Sequence, residues 1–463
     1  MRVTLFGAAR TVTGSAYLVE TAGAKILVDF GMMQGHDNHD GANKVPPQLD
    51  VKALDAVVLT HGHLDHCGRL PLLWKAGYRG PIYATPATVE LTSLVLHDAA
   101  KVQAQDLARI NRRRLRAGLD LLEVLYTPED VAETMTLFRS AEYNTPTRVA
   151  SGITARWVEA GHILGSASIE LILEENGRRH VAIFSGDIGH LGAPVVRDPE
   201  RFCGADSIFM ESTYGDRDHR SLAETLEETR IVINTALKRR GKILVPAFAI
   251  GRTQTLIYHL SALFRSGVLA HFPIYLDSPM AEEATRLYLR HVELFDEEAM
   301  ELHRTGQLER DFSAVKFCRT AEESMALNNL EGPLMIMAGS GMCTGGRILH
   351  HLRHNLWRPE THVLIVGYQA EGTLGRQLVE GRQKVHIYGE EIVVRATIHT
   401  LNGFSAHAGQ SELVNWLGCA APLRPRVLLT HGEPRAQEPL AKLIRERYGL
   451  TPEIPEYGVP VEL

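Results

Sequence analysis

The chain has 463 residues, enough for two or three domains at roughly 150 residues each. With 44% hydrophobic and 22% charged residues it has the apolar material for a full core, which excludes wholesale disorder. Fifty-five acidic against 49 basic residues give a net charge of −6, so the chain is not a generally basic nucleic-acid binder; a polyanion must be met by a local patch or by metal ions.

The first twenty residues, MRVTLFGAARTVTGSAYLVE, lack the apolar stretch of a signal peptide, and no apolar run reaches membrane-spanning length. Short β-rich runs then recur in chain order: AKILVDFG (24–31), LDAVVLTHGH (54–63), TARWVEAGH (154–162), RHVAIFSGD (179–187) and PRVLLTHGE (425–433). Each delivers an Asp or His at or just past its carboxyl end, namely Asp29, His61, His162, Asp187 and His431. In α/β sheets, ligands gather at that edge. From about 90 to 140 the pattern reads as helical and carries a dense basic run, RINRRRLR (109–116), either a solvated helix face or a phosphate-contacting ridge. From 212 to 395, a helical stretch and then alternating strand-like runs (242–248, 273–279, 333–339, 361–368) and helices read as a separate unit with a mostly parallel sheet. The last strand–His run resembles the earlier ones, so this unit is an insertion: 1–211 and 396–463 form one domain and 212–395 another. Five scattered cysteines without CxxC spacing support neither a disulfide framework nor a cysteine zinc knuckle. They point to a reducing, cytoplasmic setting.

The densest local signal is His61-Gly-His63-Leu-Asp65-His66. Ligands two apart cannot share one helix face, but on a loop they can splay toward two adjacent points. Two metals about 3.5–4 Å apart need roughly six or seven donors. His162, Asp187 and His431 supply the remainder, and a set of His and Asp without thiolate suits zinc, with manganese or iron as alternatives. Taken singly, His162 and His431 read equally well as satisfied core histidines; their weight comes from the set.

LDAVVLTHGHLDHCG, EAGHILGS and FSGDIG resemble the metallo-β-lactamase superfamily. ESTYGDR (211–217), GFSAHAG (403–409) and LLTHGE (428–433) are similar to its nucleic-acid-processing β-CASP branch, in particular the ribonucleases of bacteria and archaea that are like the cleavage-and-polyadenylation factor. The resemblance implies a four-layer αβ/βα sandwich, interrupted by an α/β β-CASP domain that caps the active site. It implies that His61, His63 and His162 hold one zinc, that Asp65, His66 and His431 hold the other, and that Asp187 bridges them. Asp29 would orient the site without binding metal. His407 would be the general acid, held by Glu211, with Asp65 and Asp187 completing the catalytic set, and a hydroxide between the zincs would attack an RNA phosphodiester in line. Two glycine-containing turns, AGSGMCTGGR (338–347) and FAIGRTQ (248–254), read as structural turns or anion sites, and the resemblance raises Ser340, Gly341 and Arg252 as RNA contacts. Cys67 and Cys343, beside a ligand and beside that turn, read as packed small residues.

An endonuclease is the leading expectation. A 5′→3′ exonuclease, a DNA nuclease of the same branch, a thioester or lactone hydrolase and an RNA-binding scaffold are the alternatives. Filled ligand positions oppose the scaffold, and His431, generally missing from DNA-specific relatives, favours RNA. The chain starts in the metal domain and ends at Leu463, so neither a KH domain nor the C-terminal domain of RNase J-type enzymes is expected. That absence weakens the exonuclease reading. The expected partner is RNA and not a membrane, and a homodimer is compatible with the reading.

Overall fold

The computed structural model describes residues 1–35 and 41–463, which divide into two compact units. The first comprises Met1–Leu191, Asp198–Asp218 and His407–Leu463; the second comprises Gly192–Arg197 and His219–Ala406.

Two sheets face each other in the first unit. One contains β1 (Arg2–Leu5), β2 (Tyr17–Glu20), β3 (Lys25–Val28), β4 (Ala56–Val58), β5 (Ile82–Ala84) and β6 (Phe138–Ser140), with β21 (Pro460–Glu462) on the β1 edge. The other runs β20 (Arg426–Thr430), β11 (Ser207–Glu211), β10 (Arg178–Phe184), β9 (Ala167–Glu175), β8 (Ile153–Glu159) and β7 (Thr147–Ala150). Aliphatic and aromatic side chains from both inner faces make the core: Val3, Val19, Ile26 and Val58 meet Trp157, Ile169, Leu171 and Phe184. Phe184 stacks on Phe209 at 4.7 Å and Tyr17 meets Phe184 edge-on at 5.3 Å. The outer face of the second sheet is covered by the helices Gln410–Leu417 and Pro434–Tyr448, through Leu413, Trp416, Leu440 and Ile444. The first sheet is flanked by α1 (Leu64–Cys67), α2 (Leu70–Lys75), α3 (Pro86–Arg116) and α4 (Pro128–Met135). This is the four-layer αβ/βα sandwich.

The pairing decides where the functional ends lie. β3, β4 and β5 are mutually parallel, as are β10, β11 and β20. Their carboxyl ends therefore fall along one edge of each sheet. The helical reading of 90–140 holds only in part. α3 ends at Arg116, where Gly118 turns with φ +67, and regular helix resumes at Pro128 under a Thr127/Asp130 capping box before β6.

The second unit is built on an all-parallel sheet in the order β14 (Lys316–Phe317), β13 (Ile274–Leu276), β15 (Leu334–Ala338), β12 (Lys242–Pro246), β16 (His362–Ile365) and β19 (Thr397–Thr400). β12 and β15 are buried at every position, as a strand covered on both faces should be. A hairpin, β17 (Lys384–Ile387) with β18 (Glu390–Val393), lies outside that sheet. Because β19 pairs with β16, the unit continues to Ala406.

The cysteines depart from expectation. Cys203 and Cys419 are joined in a disulfide that ties the loop before β11 to the residues after the helix Gln410–Leu417. Cys67, Cys318 and Cys343 are free and buried. The two partners lie 216 residues apart and only the fold brings their Cα atoms to 4.7 Å, so spacing could not reveal the pair. Among the described residues no helix is long and apolar enough to cross a membrane.

Candidate metal centre

Six of the predicted site residues leave strands at their carboxyl ends. Asp29 follows β3, His61 lies three residues past β4, His162 follows β8, Asp187 follows β10, Glu211 closes β11 and His431 follows β20. Backbone strain marks two of these exits: Asp29 has φ +57 and His431 has φ +47, left-handed values that are uncommon outside glycine. His63 caps α1, whose single turn then presents Asp65 and His66.

The donor atoms converge in two groups. His61 Nε2 and His162 Nε2 each lie 3.1 Å from His63 Nδ1 and 3.5 Å from Asp187 Oδ2. The other oxygen, Asp187 Oδ1, lies 3.3 Å from His66 Nε2 and 3.4 Å from His431 Nδ1, and His431 Nε2 lies 3.6 Å from Asp65 Oδ2. Asp187 thus presents one carboxylate oxygen to each group. Tetrahedral zinc with Zn–N of about 2.0–2.1 Å requires donors roughly 3.3 Å apart, and the first group meets that spacing. Buried polar atoms without a hydrogen-bond partner point the same way: His66 Nε2, Asp187 Oδ1 and His431 Nε2. Leaving such atoms unpaired is costly unless a further group engages them. The residues therefore fit a pair of divalent metals.

Charge balance follows from this crowding. Burial opposes ionisation of Asp187, but His431 and His66 outweigh it and hold the carboxyl well below its ordinary range. Burial also raises Asp65, and the hydrogen bond with His431 brings it back below its ordinary value. For His66, burial works against the cation while Asp187 and Asp29 more than compensate, so its pKa stands well above the usual value. His61 goes the other way: burial, then the charge on His66, push it well down.

Asp29 sits outside the donor groups. Its Oδ2 lies 2.7 Å from His66 Nδ1 and accepts from Thr60 Oγ1 at 2.8 Å, while Oδ1 accepts from Thr60 N–H. A carboxylate on Nδ1 fixes the ring so that Nε2 faces inward. Sequence reasoning missed three supports. Thr60 touches Asp29, His61 and His66 at once. Thr213 Oγ1 lies 3.2 Å from His431 Nδ1. Arg69, fully buried and lowered by burial to about 10, donates to the carbonyls of Gly31, Phe6 and Gly14. The first two carried a signal, since Thr60 adjoins His61 and Thr213 lies two residues after Glu211; nothing in sequence marks Arg69.

Glu211 and His407 come together as a pair, 196 residues apart in sequence. His407 Nδ1 lies 3.1 Å from Glu211 Oε1, and His407 Nε2 lies 4.0 Å from Asp187 Oδ2. Glu211 is fully buried and is itself held by the N–H groups of Ile188 and Thr213. Burial lowers His407, but the charges of Glu211 and Asp187 raise it above its ordinary value.

The family models match along the chain: the metallo-beta-lactamase superfamily over residues 9–149, the Beta-Casp domain over 253–378 and the Zn-dependent metallo-hydrolase RNA specificity domain over 391–455. The chain is 42% identical over 448 residues to Ribonuclease TTHA0252 of Thermus thermophilus, covering 96% of each. It belongs to the β-CASP branch of the metallo-β-lactamase superfamily. It is also 33% identical over 475 residues to transcription termination factor FttA of Pyrococcus horikoshii, covering 98% of this chain and 70% of that one. A crystal structure of a protein of unknown function from Enterococcus faecalis V583 superposes with a TM-score of 0.52 at 14% identity, covering 100% of this chain and 99% of that one, which supports the fold alone.

In the β-CASP unit, Ser340 and Gly341 stand in the turn after β15, and Arg252 opens the helix Arg252–Arg265. Ser340 Oγ accepts the N–H groups of Thr344 at 2.8 Å and Gly345 at 3.2 Å, so these two donors are satisfied within the turn. Gly341 is demanded by packing, because a Cβ there would lie 2.4 Å from the Phe248 ring.

Proposed function

We propose that this β-CASP protein is a metal-dependent endoribonuclease that holds two zinc ions, with manganese or iron as substitutes. In this reading His61, His63 and His162 hold one ion, Asp65, His66 and His431 hold the other, and Asp187 serves both. When bound, such a pair supplies a nucleophile at neutral pH and Lewis-acid neutralisation of charge at the phosphoryl group. Its likeness to Ribonuclease TTHA0252 and its match to the RNA specificity domain support RNA as the substrate.

The chain's own residues supply the rest. Thr60 and Asp29 keep His66 turned inward. Glu211, anchored by two backbone N–H groups, takes the hydrogen bond of His407 Nδ1–H and fixes that tautomer. His407 Nε2 then faces the centre with a proton that the neighbouring carboxylates favour. From there it protonates the departing ribose oxygen, a contribution typically worth 10²–10⁴-fold. Ser340, Gly341 and Arg252 remain candidates for the RNA backbone, with Arg252 largely buried in the first turn of its helix.

The observation that carries the proposal is the His407–Glu211 pair beside two donor groups with the Asp187 carboxylate between them. A simple thioester or lactone hydrolase has no need of that acid. The test is digestion of 5′-labelled linear RNA, circular RNA and matching single-stranded DNA with zinc-loaded protein. Cleavage of the circle establishes an endonuclease; release of 5′ mononucleotides with the circle intact establishes an exonuclease, and cleavage of DNA but not RNA refutes the ribonuclease reading.

A further inference from the structure

α3 runs for 31 residues, but its buried side chains end at Ala100. From Lys101 to Leu125 no side chain is buried. The outer half of the helix, residues 101–116, carries six basic residues against the single acid Asp106, in a chain whose net charge is −6. Five arginines fall within 109–116. Arg109 is paired with Asp106 at 2.9 Å and Arg114 donates to the carbonyl of Asp120 at 2.6 Å; the side chains of Arg112, Arg113 and Arg116 are solvent-exposed. Arg112 and Arg116, like Arg109 and Arg113, are four apart and share a helix face, where like charges repel. The helix dipole rewards cations only in the last turn and does not account for Arg109 and Arg112.

The same tip displays Ile110, Leu115, Leu119, Leu121 and Leu122, each 42–70% exposed. The chain returning from the helix is held there, since Asn111 Nδ2 donates to the carbonyl of Leu122 and Asn111 Oδ1 accepts its N–H, both at 2.9 Å. A cationic stripe offers contacts to a phosphate backbone, and the exposed aliphatic side chains beside it offer apolar surface that the uncovered faces of unpaired bases can pack on. The helix also starts beside the metal centre. A methyl on Gly62, between His61 and His63, would meet Leu91 and Thr92 of α3 at 3.2–3.3 Å. From Thr92 to Arg112–Arg116 is about 30–36 Å along the axis at 1.5 Å per residue.

We infer that the tip of α3 is a second binding site for single-stranded RNA, anchoring a strand that reaches from the metal centre; the inference rests on the ribonuclease reading above. The test compares wild type with the triple variant Arg112→Gln, Arg113→Gln, Arg116→Gln, circular dichroism verifying that the helix persists. Binding of a fluorescent 30-nucleotide single-stranded RNA is followed by anisotropy between 50 and 200 mM KCl, with metal removed so that cleavage does not interfere. Each phosphate contact on a single strand contributes about 0.7 to the slope of log K against log salt. Three lost contacts lower the slope by about 2, so over this range wild type should lose roughly 20-fold more affinity than the variant. With metal-loaded protein, kcat/KM on the 30-mer should fall in the variant, while a tetranucleotide, too short to reach the tip, is cleaved alike by both. Equal salt slopes overturn the inference and leave the tip to a protein partner. Equal wild-type affinity for a duplex of the same length overturns the assignment to single strands. Failure of wild type to cleave any RNA defeats the ribonuclease reading, while the anisotropy still judges the tip.

Discussion

Gly31 provides the sharpest test of how the metal loop is held. It follows Asp29 and Phe30, and its N–H donates to the Ser15 carbonyl at 2.8 Å while its own carbonyl accepts from Arg69. A Cβ on Gly31 would lie 1.6 Å from the Asp65 carbonyl oxygen, 2.0 Å from its carbon and 2.5 Å from the His66 N. These are backbone atoms, so no side-chain rotation relieves them. Restoring contact distance requires the Asp65–His66 segment to retreat by about 1.5 Å, against a tolerance near 0.2 Å for metal–ligand distances. Gly31→Ala should therefore cost about 1–3 kcal/mol of stability from overpacking. It should also abolish binding at the Asp65/His66/His431 group, leaving at most one metal per chain. Displacing ligands by an ångström costs on the order of 10²-fold in turnover, so RNA cleavage should fall at least that far. Elemental analysis of metal per chain, circular dichroism and initial rates make the assay. A folded Gly31→Ala protein with two metals and cleavage within threefold of wild type would refute the reasoning.

Other perturbations separate chemistry from scaffold. His407→Ala should retain metal yet lose 10²–10⁴-fold in kcat, whereas Asp187→Ala should lose metal from both groups; elemental analysis beside a cleavage assay distinguishes them. In the β-CASP unit, Asp277 is fully buried, and although burial opposes its charge, hydrogen bonds from His351, Ser324 and Arg347 hold its pKa below the ordinary value. Because the folded pKa lies below the unfolded value near 3.9, this stabilisation is present above that value and disappears as pH falls through the folded pKa. Urea unfolding between pH 7 and pH 3 should show that acid-side loss in wild type and a flatter profile in Asp277→Asn. Finally, thiol titration of denatured, unreduced protein should count three cysteines, and five after reduction. Cys203→Ser should lower stability by about 2–4 kcal/mol, read as a shift in the urea midpoint.

The candidate site residues were legible because strand periodicity announces itself locally and a side chain just past a strand end is carried to the sheet edge by an α/β topology. Asp29, His61, His162, Asp187 and His431 all show this pattern, and the crowding of His61, His63, Asp65 and His66 in six residues can be read without a fold. Glu211 and His407 were visible only through family motifs. Thr60 and Thr213 escaped because a threonine next to a histidine, or two residues past a glutamate, is common, and its role depends on which ring it touches. The end of α3 at Arg116 was missed because residues 117–125 keep helix-compatible composition after Gly118 has already turned the chain.

What the amino-acid order determined alone is the chemistry available: an imidazole and carboxylate set without thiolate, delivered at strand termini, and an inserted α/β segment. Only the tertiary structure decided how those groups are shared. Parallel β10, β11 and β20 bring residues more than 200 positions apart to one edge, so that Asp187 turns one oxygen to each donor group. The same convergence joins Cys203 to Cys419 and seats His407 on Glu211. Sequence encodes which side chains exist and their local spacing, but distances across a sheet arise from backbone pairing and core packing, which no local pattern contains.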